Sequence, residues 1–166
     1  DDAYEDNDTC LSAVNLAQIN QGVAEPLVLQ PGDPDFFFVT LDQGATLDVR
    51  IDFLNATADL DLDARKLMGG SCGGAVAVSN STSNMETITY VNNGTAGETI
   101  VVQAFWYGTA SGALCSDYTM TYSITPGVGP CSPDDAYEPN DTACEAQPLS
   151  VGVYEPLRVG DGDDDY

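Results

Sequence analysis

Oxygen donors are what this chain offers for chemistry, and they gather where the chain should turn. Glu5, Asn7 and Asp8 form one cluster, and Asp33 and Asp35 form a second in Pro31-Gly-Asp-Pro-Asp35. Hard cations such as Ca²⁺ take about six to eight oxygens from carboxylates, amide side chains and carbonyls, and an irregular loop can wrap one. Both clusters return downstream, as Glu138, Asn140 and Asp141 and as Asp163 and Asp165. Their joint recurrence points to a single calcium site built from both. The competing reading is that these residues cap a helix and close a turn.

A third acidic set, Asp59, Asp61 and Asp63, alternates with Leu60 and Leu62. Period two puts the three acids on one strand face, where a solvated outer surface is the expectation. Catalysis has little to stand on. The chain has no histidine, so no Ser-His-Asp or Cys-His arrangement is available. Lys66 beside Arg65 shows no sign of a buried base. Paired carboxylates of the glycosidase kind would arise by chance among 27 acidic residues, and the expectation is a non-enzyme.

Those 27 acids stand against Arg50, Arg65, Lys66 and Arg158, a formal net charge of -23. Phosphate recognition needs clustered Lys and Arg, so nucleic acid is excluded as a partner, and an anionic membrane surface is disfavoured. Such an excess repels itself unless cations compensate it, which again directs attention to divalent metal; solubility in a salty or crowded exterior is the plainer reading. No apolar run approaches a transmembrane span, and no basic segment followed by an apolar stretch opens the chain. The sequence therefore reads as a mature protein or an excerpt of one.

The elements that must hold these clusters show a repeat. Asp1-Asp-Ala-Tyr-Glu-Asp-Asn-Asp-Thr9 returns as Asp134-Asp-Ala-Tyr-Glu-Pro-Asn-Asp-Thr142, with eight identities in nine positions. Gly22-Val-Ala-Glu-Pro-Leu27 returns as Gly152-Val-Tyr-Glu-Pro-Leu157, and Gly32-Asp-Pro-Asp-Phe36 as Gly162-Asp-Asp-Asp-Tyr166. A self-similarity of this length predicts tandem domains: a first unit over 1–125, a Pro- and Gly-rich linker over 126–133, and the opening of a second unit over 134–166. Within the first unit Leu47, Val49, Ile51 and Phe53 alternate with Thr46, Asp48, Arg50 and Asp52. Tyr118-Thr-Met-Thr-Tyr-Ser-Ile124 repeats the pattern, and further strands are expected near 22–29, 35–42, 59–63, 74–79, 85–91 and 98–106. Only 9–17 suits a short helix, capped by Asp8 or Thr9. About eight short alternating strands predict an all-β, antiparallel two-sheet sandwich. Phe36, Phe37 and Phe38 and the run Phe105-Trp-Tyr107 are expected mainly as core, with Trp106 or Tyr107 exposed near Gly108.

Five cysteines lack the C-x-x-C spacing and histidine partners of a zinc site, so disulfides in an oxidising exterior fit them better. The expected pairs are Cys72 with Cys115 and Cys131 with Cys144. Cys10 is then left for a cysteine upstream of Asp1 or for a neighbouring chain. Sequons at Asn7, Asn55, Asn80, Asn93 and Asn140 are glycosylation candidates of a secreted or cell-surface chain.

The combination Asp-x-Tyr-Glu-Pro-Asn-Asp-Thr, then Gly-Asp-x-Asp-Phe/Tyr, then alternating strands ending in Asp-Tyr-Thr-Met-Thr-Tyr resembles the bacterial pre-peptidase C-terminal domain family. The likeness spans nearly all of 1–125, with 134–166 as the start of a second copy. It implies a jelly-roll-like β-sandwich on secreted bacterial proteins, where relatives bind calcium at the N-terminal linker and some bind collagen. Carried over by motif, Glu5, Asn7, Asp8, Asp33 and Asp35 would be calcium ligands that stiffen the segment between domains, although Asp6 replaces the usual Pro in the first copy. The expected function is a calcium-stabilised structural or adhesive repeat of an extracellular fibre or multi-domain surface protein. Its partners would be neighbouring repeats or subunits, with extracellular protein or glycan as further partners. The alternatives are an accessory substrate-binding or processing domain of a secreted peptidase, and a carbohydrate-binding module using Trp106 and Tyr107.

Overall fold

The computed structural model describes residues 2–19, 27–108, 113–127 and 152. The chain divides into two compact units, 1–127 and 128–166. The residues expected to act in the second unit, namely Glu138, Asn140, Asp141, Asp163, Asp165, Cys131 and Cys144, lie outside the described residues, as do most of the linker and residues 22–26.

The first unit is a β-sandwich of two sheets. Its strands are β1 (Val14–Asn15), β2 (Leu27–Leu29), β3 (Asp35–Leu41), β4 (Thr46–Phe53), β5 (Leu60–Met68), β6 (Ser71–Ser79), β7 (Met85–Val91), β8 (Glu98–Trp106) and β9 (Ser116–Thr125). One sheet has the order β1-β3-β8-β5-β6, the other β2-β9-β4-β7. Neighbours pair antiparallel except β1 with β3. Consecutive strands alternate between sheets, and only the β5–β6 hairpin stays within one.

Period-two patterning drives this packing. Leu47, Val49, Ile51 and Phe53 of β4 face Leu60, Leu62 and Ala64 of β5 and Ile100, Val102 and Ala104 of β8 across the interior, all buried. Burying such side chains stabilises the fold by about 1.5–3 kcal/mol each before entropy is counted. Asn92 is a polar member of this interior: its amide donates to the carbonyls of Leu41, Asp42 and Ala96 at 3.0, 3.1 and 2.9 Å, closing the turn between β7 and β8. The strand alternation of the sequence is thus what the structure shows, with nine strands among the described residues in place of about eight.

Three expectations are corrected. The helix over 9–17 does not form. Thr9 and Ser12 close a turn on each other through side chain and backbone, β1 follows, and a single 3-10 turn spans Leu16–Gln18, capped by Asn15 Oδ1 at 2.9 Å from the Ala17 amide. Pairing of residues 14 and 15 with Phe37 and Phe38 holds this stretch extended. Next, Asp61 and Asp63 do not lie on a solvated face: both are buried, and Asp63 takes a two-point contact from Arg65 at 3.0 and 2.6 Å. Alternation says which side of a strand a residue takes; it does not say whether that side is covered.

The third correction concerns the cysteines. Cys72 bonds to Cys10, with Cα atoms 6.1 Å apart, and Cys115 is a free, exposed thiol. Cys72 sits in β6 of one sheet while Cys115 directly precedes β9 of the other, and a disulfide needs Cα atoms within about 7 Å. The real bond ties the entry segment to β6 across 62 residues. Replacing both Cys10 and Cys72 by Ser should therefore lower stability by about 3 kcal/mol, the usual scale for closing a loop of this kind. Cys115→Ser should leave the melting temperature unchanged. Thermal unfolding of the two variants checks both, and a fall with Cys115→Ser alone would contradict the pairing.

Candidate metal centre

The site is assembled from the entry segment and the β2–β3 turn. Pro31 and Gly32 occupy the two central positions of that turn, which closes with the Asp33 N–H donating to the Gln30 carbonyl at 3.1 Å. Gly32 has φ of +87°, a conformation side-chain-bearing residues seldom adopt, so the turn that aims Asp33 requires a glycine there. The entry segment is held beside this turn by the Asp2 carboxylate and the Asn7 backbone. Asp2 accepts the N–H of Tyr4 at 2.8 Å and that of Val28 in β2 at 3.0 Å. The Asn7 carbonyl accepts the Phe36 N–H at 3.0 Å, and the Asn7 N–H donates to Glu5 Oε2 at 3.2 Å.

Two groups of carboxylates result. Asp2, Glu5 and Asp35 each bring one oxygen to within 4.8 Å of the others, and so do Glu5, Asp8 and Asp33. Glu5 belongs to both, so five carboxylates form one continuous cluster around it. The four expected acids of this unit, Glu5, Asp8, Asp33 and Asp35, thus come together. Asn7 stands beside them as a buried residue whose backbone anchors the segment to β3. Asp2 joins them although it is not among the expected ligands; its signal in the sequence is that it matches Asp135 within the repeated motif.

Electrostatics make the cluster costly as it stands. Burial, followed by the nearby acids, pushes Glu5 and Asp33 above their ordinary values, although the Asn7 N–H partly opposes this at Glu5. Asp35 is buried and pushed up to about 8, first by burial; the hydrogen bond donated by the Tyr118 hydroxyl opposes the rise, and Asp2, Glu5 and Asp33 add to it. Tyr118, buried at the sheet interface, is raised in turn by burial and by the charge of Asp35. The described basic side chains are engaged elsewhere: Arg50 with Asp52 at 2.5 Å, Arg65 with Asp63 at 2.6 Å, and Lys66 with Glu98 at 2.9 Å. The oxygen-only donor set fits a hard cation, which takes carboxylates and carbonyls in an irregular loop.

Among the glycosylation candidates Asn80 and Asn93 are exposed, Asn55 is half-buried and Asn7 is 1 % exposed; Asn140 lies outside the described residues. Phe37 is core, Trp106 packs partly against it, and Tyr107 is exposed beside Gly108. No helix among the described residues is long and apolar enough to cross a membrane. Comparison with protein-family models and with curated proteins returns no match.

Proposed function

We propose that this chain is a non-catalytic extracellular repeat module whose entry segment is clamped by calcium, serving in a surface fibre or multi-domain secreted protein. The observation that carries this reading is the cluster of five carboxylates joining residues 2–8 to the β2–β3 turn. A cation there links the segment leading into the sandwich to the sandwich itself. The same motif restarts at Asp134, so the arrangement suits a chain in which one unit follows another. The resemblance to the pre-peptidase C-terminal family supports the calcium and the extracellular setting. The pairing of Cys10 with Cys72 agrees with an oxidising compartment.

Calorimetric titration with Ca²⁺ tests the proposal. Glu5→Gln should weaken binding at least roughly tenfold, because Glu5 serves both carboxylate groups. Asp6→Asn, at an exposed residue outside both groups, should bind as the parent does. Hydrogen exchange of residues 2–8 should accelerate on chelation while the amides of β4 and β8 stay protected. Equal calcium affinity in the parent and the Glu5→Gln variant would reject the site.

A further inference from the structure

One strand of the sandwich has the composition of a core strand and the surroundings of a surface one. β6 reads Ser71-Cys-Gly-Gly-Ala-Val-Ala-Val-Ser79, without a charge, and none of its nine residues is buried. Every other described strand longer than two residues has buried members. β6 lies at the edge of its sheet and, among the described residues, pairs with β5 alone. Val76 and Val78 are 41 and 56 % exposed. The register with β5 slips between Ala64 and Arg65 and between Arg65 and Leu67, which bends the first half of the strand; Ala77, Val78 and Ser79 pair regularly with Ala64, Asp63 and Leu62.

The whole flank around this edge is neutral. From Leu67 to Gly97 the sequence holds one acid or base, Glu86. That carboxylate is buried and accepts from the hydroxyls of Ser79 and Ser81 and from the Ser81 N–H, so it shows no charge to an approaching surface. Met68, Met85 and Val91, just before β6 and at the two ends of β7, are exposed. Folded proteins guard a free edge with Lys, Pro or an inward-pointing charge, and β6 has none of these. The edges formed by β1 and β2 are only two and three residues long.

An unguarded edge offers backbone donors and acceptors to another extended strand. Charge decides whose strand it is. A basic partner is drawn to the acidic faces instead, and a second copy of this chain, at -23, is repelled wherever acid meets acid. The neutral flank is where two copies meet without that cost. We infer that β6 is a self-association edge: it pairs antiparallel with β6 of a second copy about a two-fold axis at Ala77. Val76 of each copy then lies beside Val78 of the other, and one sheet continues across both.

Sedimentation of the full chain from micromolar to millimolar concentration tests this. The parent should pass reversibly from monomer to dimer, and added salt should tighten the association by screening the repulsion between two acidic bodies. The amides of β6 should exchange more slowly in the concentrated sample than in the dilute one, while those of β2 keep their rate. Combining Val76→Lys with Val78→Lys sets like charges opposite each other across the axis and should weaken the dimer roughly tenfold. The same change reduces the net negative charge, so general electrostatics alone would strengthen association. Both positions are exposed, so the variant should melt as the parent does; if it melts lower, the exchange rates of the parent decide. A parent that stays monomeric at millimolar concentration in high salt overturns the inference, as does a dimer indifferent to the two lysines. A dimer that survives dilution and is lost only on reduction is a product of the Cys115 thiol and overturns it too.

Discussion

Withdrawing calcium from the chain is expected to lower its melting temperature by roughly 15 °C. A ligand present at about a thousand times its dissociation constant stabilises the state it binds by about 4 kcal/mol, and in a domain of this size each kcal/mol moves the midpoint by about 4 °C. The effect enters through the entrance cluster, where Asp2, Glu5, Asp8, Asp33 and Asp35 converge around Glu5. Chelation should also leave residues 2–8 open to proteolysis, since the side chains that draw them against the β2–β3 turn then repel one another. Replacing both Asp8 and Asp33 by Asn should make the chain much less responsive to chelator, while the core strands keep their protection. Calorimetric scans with and without chelator decide the matter; coincident transitions would mean the carboxylates face water alone.

Acidity should act oppositely on the metal-free and calcium-loaded protein, and the reason lies in Asp35. Its folded carboxyl holds its proton to about pH 8, whereas the unperturbed group releases it near 3.8. Between those values the folded state binds more protons than the unfolded, so stability falls as pH rises. The contribution is fully present below about pH 4 and is lost as pH climbs through 8, an effect of the order of 5 kcal/mol over the window. Glu5 and Asp33, also raised, push in the same direction. Calcium needs the ionised carboxylates, so its affinity grows with pH and the loaded protein gains where the metal-free protein loses. Melting curves of metal-free protein at pH 5 and pH 8 should therefore differ by many degrees with the acidic sample higher, and the order should narrow or reverse in calcium. Self-repulsion of the whole acidic chain also destabilises it as pH rises. Asp35→Asn isolates the site: its amide oxygen can still accept from Tyr118, and the slope should flatten by about one proton. A metal-free protein that melts higher at pH 8 than at pH 5 would contradict the assignment.

Much of this molecule is legible from local pattern. The alternation of Leu47, Val49, Ile51 and Phe53 with polar neighbours specifies a half-buried strand, because a one-residue slip would turn every apolar side chain to water. Pro31 and Gly32 specify a turn through their backbone preferences alone. The repeated motif marks the acids of the entry segment and of the turn as belonging together. What the one-dimensional pattern lacks is any measure of distance between segments far apart in the chain. Cys10 and Cys72 lie 62 residues apart, and the entropy of closing a loop varies too slowly with its length to favour one partner for Cys72 over another. Only the packing of the entry segment near β6 selects the pair. Asp61 and Asp63 obey the alternation and are nonetheless buried, since the cover over a strand face comes from elsewhere in the fold. Asp2 becomes part of the cluster through a hydrogen bond to Val28, 26 residues away. Residue type and period thus decided the strands, the turns and the kind of ion that would suit them; the tertiary contacts decided which oxygens meet and which charges are left without water.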